Sequence, residues 1–129
     1  MNSNLPTSAN YPNAPFLRSL GAFEELFWLL DQQRPVHFVT AAEVDGRTTI
    51  ADWRHALDLV QQRHPLFSVR IERNEENRPC FRNDKTNPIP LRVVQERNAT
   101  QRWEFQAELE LSIPFNPAQA PLVRAVLLH

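Results

Sequence analysis

Proline limits what this chain can fold into more than any other residue. Eleven prolines interrupt 129 residues, while glycine appears only at Gly21 and Gly46. Each proline removes a backbone donor, and its ring pushes the preceding residue out of the helical region. The chain is therefore cut into short pieces joined by many loops, which argues against a long helical bundle. The scarcity of glycine excludes as much. A phosphate-cradling loop needs several closely spaced glycines so that backbone N–H groups can approach the phosphates. Two distant glycines also cannot build the Gly-x-Ser-x-Gly turn of a serine nucleophile.

The remaining composition narrows the class further. Fourteen Lys and Arg against fifteen Asp and Glu give a formal net charge of -1, so no overall electrostatic case for nucleic acid exists. The longest wholly apolar run, Leu26 to Leu30, is far short of the ~20 residues that span a bilayer. The opening stretch, Met1 to Pro15, has neither a basic residue nor an apolar block, so it does not read as a secretory signal. Cys80 is the single cysteine, which leaves no internal disulfide and no thiolate zinc cluster. The expectation is a soluble, cytoplasmic protein that binds neither nucleic acid nor membrane.

Residues 1–15, rich in Asn, Ser and Pro, read as a flexible tail. From Ala22 to Gln33 the spacing of Phe23, Leu26, Phe27 and Leu30 predicts an amphipathic helix with that stripe buried, stopped by Pro35. Val36 to Val44 is rich in β-branched and small apolar residues and reads as a strand. Asp45-Gly46 signals a turn. Thr49 with Asp52 forms a capping box for a second helix, with Ile50, Trp53, Leu57 and Val60 as its buried stripe, ending before His64-Pro65. Alternation over Leu66 to Arg73 predicts a half-buried strand, and Pro79 to Arg82 its hairpin partner. Leu91 to Gln95 is a further short strand. Trp103 to Ile113 reads two ways: strict alternation favours a strand, and its Glu, Gln, Ala and Leu content with Thr100 as cap favours a helix. Leu122 to Leu128 reads as a strand buried on both faces.

Few residues offer themselves for chemistry. None of His37, His55, His64 and His129 has a second ligand at metal spacing. His37 reads as a satisfied structural histidine, His55 as solvated, and Cys80 as a buried, inert thiol. Trp28, Trp53 and Trp103 lack a basic groove beside them and read as core anchors.

Three stretches, in order, carry a resemblance. The run Phe27-Trp28-Leu29-Leu30-Asp31-Gln32 after a short strand resembles the opening motif of the condensation-domain superfamily. That superfamily includes condensation domains of nonribosomal peptide synthetases and polyketide-associated acyltransferases, with the chloramphenicol acetyltransferase fold. Gln62-Arg63-His64-Pro65-Leu66-Phe67-Ser68-Val69-Arg70 looks like its second motif, and proline at 65 looks more like the acyltransferase and acetyltransferase branch. Ile113-Pro114-Phe115-Asn116 followed by Pro121-Leu122-Val123-Arg124-Ala125 resembles the stretch leading into the catalytic strand. In the family the segment before that Pro-Phe is a helix, which decides Trp103 to Ile113 in favour of helix.

The resemblance implies an α+β fold: a partial N-terminal lobe of the chloramphenicol acetyltransferase type, with a mixed sheet and two to three helices over residues 16–129. The family's His-His-x-x-x-Asp-Gly signature, whose second His is the proposed general base, does not occur in these 129 residues, and His129 lacks its neighbours. The expectation is therefore an N-terminal portion ending before the catalytic motif, inactive alone. Its parent would move an acyl group from a coenzyme A or phosphopantetheine thioester to an alcohol or amine, with no cofactor bound here. Arg63, His64 and Arg124 are singled out as motif-supporting, structural residues. Expected partners are a C-terminal lobe or a carrier protein. The alternative is a non-catalytic module that associates with itself or a partner through an exposed sheet edge.

Overall fold

A computed structural model describes residues 15–95 and 102–129. The expected tail and the expected cap Thr100 lie outside the described residues, apart from Pro15. The chain is an α+β protein. Its elements run β1 (Phe16–Ser19), α1 (Ala22–Asp31), α2 (Ile50–Arg63), β2 (Val69–Arg73), β3 (Pro79–Asn83), β4 (Leu91–Val94), α3 (Trp103–Ser112) and β5 (Ala125–Leu128). The strands do not join one mixed sheet but form two. One is antiparallel in the order β1-β3-β2, and the other is the parallel pair β4-β5.

Local chemistry explains the ends of the elements. Glu24 reaches back to accept from the Gly21 N–H at 2.6 Å and starts α1. Arg18 grips the same carboxylate with both terminal nitrogens at 2.7 Å, tying β1 to α1 and holding the Glu24 carboxyl down at about 2. After Asp31, the N–H groups of Gln32 and Gln33 bond back to Leu29 and Leu30, so the last turn reaches Gln33 as expected before Pro35. The Thr49–Asp52 box is reciprocal: Asp52 N–H donates to Thr49 Oγ at 3.2 Å and Thr49 N–H to Asp52 at 2.8 Å. α2 ends at His64, whose extended backbone (φ -116°, ψ 102°) is what a following proline demands.

The β2–β3 hairpin has the expected pairing, with Ile71 opposite Phe81 and Glu72 opposite Cys80. Asn77 turns it in the left-handed region (φ 63°), and the Asn74 side chain accepts from the N–H groups of Glu76 and Arg78. Arg70 and Arg82 face each other across the strands, a like-charge pair that would destabilise the sheet. Glu72 offsets it by lying at ion-pair distance from both, 2.6 Å from Arg70 and 3.5 Å from Arg82, and Asp84 takes another side of Arg70. The inner face carries the core: Leu20, Val69 and Phe81, with Leu17, Trp28, Ile71 and Leu122 packed against it.

Several expectations are overturned. The segment Val36 to Val44 joins no strand ladder; β-branched residues favour extension, but a strand needs a partner, and none of the described strands pairs with it. Pro65–Ser68 is a 3-10 turn, so the strand begins at Val69 rather than Leu66, because the proline opens a helical turn more readily than it joins a ladder. The stripe of α1 faces outward: Phe23 is 79 %, Leu26 47 %, Phe27 52 % and Leu30 44 % exposed, while Trp28 meets the core. Likewise α2 has no buried residue. Of the three tryptophans only Trp28 is an anchor; Trp53 is half-buried, its Nε1–H donating to Thr48, and Trp103 is exposed. The last strand covers only Ala125–Leu128, and all four residues are half-buried rather than enclosed.

A core this small makes position decisive. Phe81→Ala is expected to cost about 3–5 kcal/mol, whereas Phe23→Ser should stay within about 0.5 kcal/mol. Urea unfolding followed by tryptophan fluorescence measures both, and equal losses would contradict the outward placement of the α1 stripe.

Candidate functional site

Among the described residues Glu110 is the one carboxylate classed as buried, and the polar centre around it is built by α3 turned inside out. Spacing by four along a helix places two side chains on one face, and here that face is Gln106 and Glu110, both buried. Phe105, Leu109 and Leu111, which a water-soluble helix would bury, are exposed. The polar face is drawn inward by two arginines. Arg92, on β4, donates to Gln106 Oε1 at 2.7 Å and to Glu110 Oε1 at 2.6 Å. Arg124, just before β5, closes on Glu110 Oε2 through its Nε, and its Nη2 donates to the carbonyls of Glu110 at 2.8 Å and Ile113 at 2.6 Å. One carboxylate thus joins α3 to both strands of the parallel sheet.

Two rings complete the centre. The Arg124 guanidinium lies over the Phe115 ring, 4.2 Å from its centroid. His37 stands edge-on to the same ring at 5.4 Å, and its Nε2 bonds the Glu110 carbonyl at 2.9 Å. Burial pushes the Glu110 carboxyl up, but the hydrogen bonds and charges of Arg92 and Arg124 outweigh it and hold the group below its ordinary value of 4.5. Beside this centre Phe115 and Arg124, with Pro90, Asn116, Gln119 and Pro121, line an open hollow of about 530 Å³.

Of the three residues singled out in the sequence, the structure brings only Arg124 to this centre. Arg63 ends α2 and is exposed, its side chain making no hydrogen bond or ion pair to a described residue. His64 caps the same helix and is exposed, its ring 5.8 Å from that of Phe67. The residues that sequence reasoning missed are Glu110, Gln106, Arg92 and Phe115. A Gln-x-x-x-Glu pair on an apolar helix is a faint signal, because the same spacing describes any solvated face. His37 was read as a satisfied structural histidine in a strand. The structure places it outside any strand, with Nε2 bonded to the Glu110 carbonyl and Nδ1 buried without a hydrogen-bond partner among the described residues.

Chemically, this arrangement can hold elements together and present an arginine and an aromatic ring at the rim of a hollow. Among the described residues no three His, Cys, Asp or Glu side chains are grouped to hold a metal ion, and no helix is long and apolar enough to cross a membrane. No family model matches the chain, and no curated protein matches it.

Removing Glu110 leaves two arginines facing each other. Glu110→Ala is expected to cost about 3 kcal/mol at neutral pH, the lower end for breaking a buried pair because Arg92 is partly exposed. The folded-state carboxyl is held low, so its contribution is present above 4.5 and is lost as pH falls through the folded value. Glu110→Gln should therefore be less stable at neutral pH and show a shallower acid decline in urea midpoint than the native chain. Superimposable acid profiles would show that this carboxylate is not the group responsible.

Proposed function

We propose that residues 16–128 are the amino-terminal part of a condensation-domain-like acyltransferase lobe of the chloramphenicol acetyltransferase type. The parent protein transfers an acyl group from a coenzyme A or carrier-protein thioester to an alcohol or amine. In that reaction a base takes the acceptor's proton, the acceptor attacks the thioester carbonyl, and the thiol leaves. No His-His-x-x-x-Asp-Gly lies in these 129 residues, so on this reading the base is carried by further sequence and this portion supplies scaffold. Arg124 then acts by bracing the strand that leads toward the base, with Arg63 and His64 as structural residues of the second motif.

The observation that carries this reading is the β4–β5 pair. Parallel strands occur almost only in sheets covered on both faces, and two strands are too few to stand alone in water. Here Leu91–Val94 and Ala125–Leu128 pair in parallel with no third strand among the described residues. The outward apolar residues of α1 and α3 point the same way, since contiguous exposed apolar surface marks an interface. A sheet awaiting neighbours, in the position where the resemblance puts the approach to the catalytic strand, fits a piece of a larger lobe.

The same surfaces support a second reading, a non-catalytic module that associates with itself through the open sheet edge. The codons downstream of His129 discriminate between the two. An in-frame His-His-x-x-x-Asp-Gly within a few dozen codons supports the acyltransferase, and a stop codon supports the module. On the first reading the purified 129-residue chain releases no thiol from acyl thioesters above background. Light scattering should show it self-associating at high concentration, and turnover by the isolated chain would overturn the assignment of scaffold alone.

A further inference from the structure

The hollow of about 530 Å³ lies where the approach to β5 folds against the residues that precede β4. That volume is in the range of small-molecule sites. Its walls are set before any ligand arrives. Pro88, Pro90, Pro114 and Pro121 line it, and proline fixes φ, so little backbone freedom is left to lose on binding. Asn87 ties one side to the other, its Nδ2 donating to the Ala120 carbonyl at 3.2 Å. The longer side is held in a turn. Asn116 Oδ1 accepts from the Ala118 N–H at 3.0 Å, and the Asn116 carbonyl accepts from the Gln119 N–H at 3.0 Å.

The charge on these walls is one-sided. Arg124 is the one charged residue among those lining the hollow, and no Asp or Glu lines it. The guanidinium is held in one orientation by Glu110, by the Ile113 carbonyl and by the Phe115 ring. A guanidinium carries five N–H groups. These bonds use the one on Nε and the two on Nη2, and the pair on Nη1 takes no part in them. Glu110 does not cancel the charge, because the same carboxylate serves Arg92. Two cations and one anion leave this cluster one charge positive.

We propose that the hollow binds a small carboxylic acid, with one ionised carboxylate and an aromatic or short apolar body. The carboxylate meets the single net positive charge at Arg124, exchanging water for a charge-assisted bond. The apolar body lies among Phe115 and the prolines. A phosphate monoester carries close to two negative charges at neutral pH, more than this wall offsets, so charge balance selects the carboxylate. The site goes beyond the acyltransferase reading and does not rest on it, since every group it uses is among the described residues.

Titration of the 129-residue chain with phenylacetate, followed by the backbone amide shifts in NMR, tests it. Saturable shifts confined to 87–89 and 115–124 are expected, with a Kd on the order of 1 mM for a ligand of about ten heavy atoms. Phenylacetamide has the same shape without the charge and should bind about tenfold more weakly. Phenyl phosphate should also bind more weakly than phenylacetate. Gln119 lines the hollow and is exposed, so changing it leaves the Glu110 bonds alone. Gln119→Glu is expected to weaken phenylacetate about threefold and Gln119→Lys to tighten it by a similar factor, the scale of an exposed charge contact. Shifts that never saturate, or that map elsewhere, would overturn the site. So would phenylacetamide binding as tightly as the acid, or an affinity indifferent to both Gln119 variants. Phenyl phosphate binding tightest would overturn the choice of a carboxylate.

Discussion

A single carboxylate joins the parts of this molecule that apolar packing leaves loosely connected. Glu110 holds Arg92 from β4 and Arg124 from the approach to β5, while its own carbonyl receives both Arg124 and His37. The apolar core lies elsewhere, under the antiparallel sheet, and is small. The buried residues of α3 are the polar Gln106 and Glu110, so directional, charge-assisted bonds hold this helix to the parallel strands. Such bonds fix geometry well, yet their net stabilisation is modest because two charges must be partly desolvated. That balance explains why the centre is organised while its surroundings stay open.

The inversion of α3 follows from the same bonds. A helix can direct only one face inward, and once Gln106 and Glu110 occupy it, Phe105 and Leu109 must face out. α1 behaves likewise, since only Trp28 of its apolar residues reaches the core. Outward apolar faces on two helices, beside a two-stranded parallel sheet, describe surfaces suited to being covered. This is the physical content shared by the acyltransferase and self-association readings. They differ in what does the covering.

Much of the fold was legible in local chemistry. Pro35 and Pro65 and the Thr49–Asp52 box marked boundaries that hold, because each acts within a few residues of itself. The helix at Trp103–Ser112 was legible only with help from the resemblance, since its alternating apolar residues are as compatible with a strand. The errors concern partners. Val36 to Val44 has a strand's composition, and nothing in that composition says whether another strand lies alongside. The stripe Phe23, Leu26, Phe27 and Leu30 has a buried face's spacing, yet spacing cannot say whether anything packs upon it. Arg124 was singled out by motif, while Glu110, the group that gives it a role, looked like any solvated acid.

The sequence by itself determined where helices and turns begin and end, because proline geometry and capping hydrogen bonds act over three or four residues. It also excluded glycine-rich phosphate loops and thiolate metal sites, because the residues for them are missing. Only the tertiary structure decided which helix faces turn inward, that the strands divide into two sheets, and that Arg92, Arg124 and His37 meet at Glu110. Those outcomes depend on contacts between residues 14 to 73 positions apart, and no local rule carries that information.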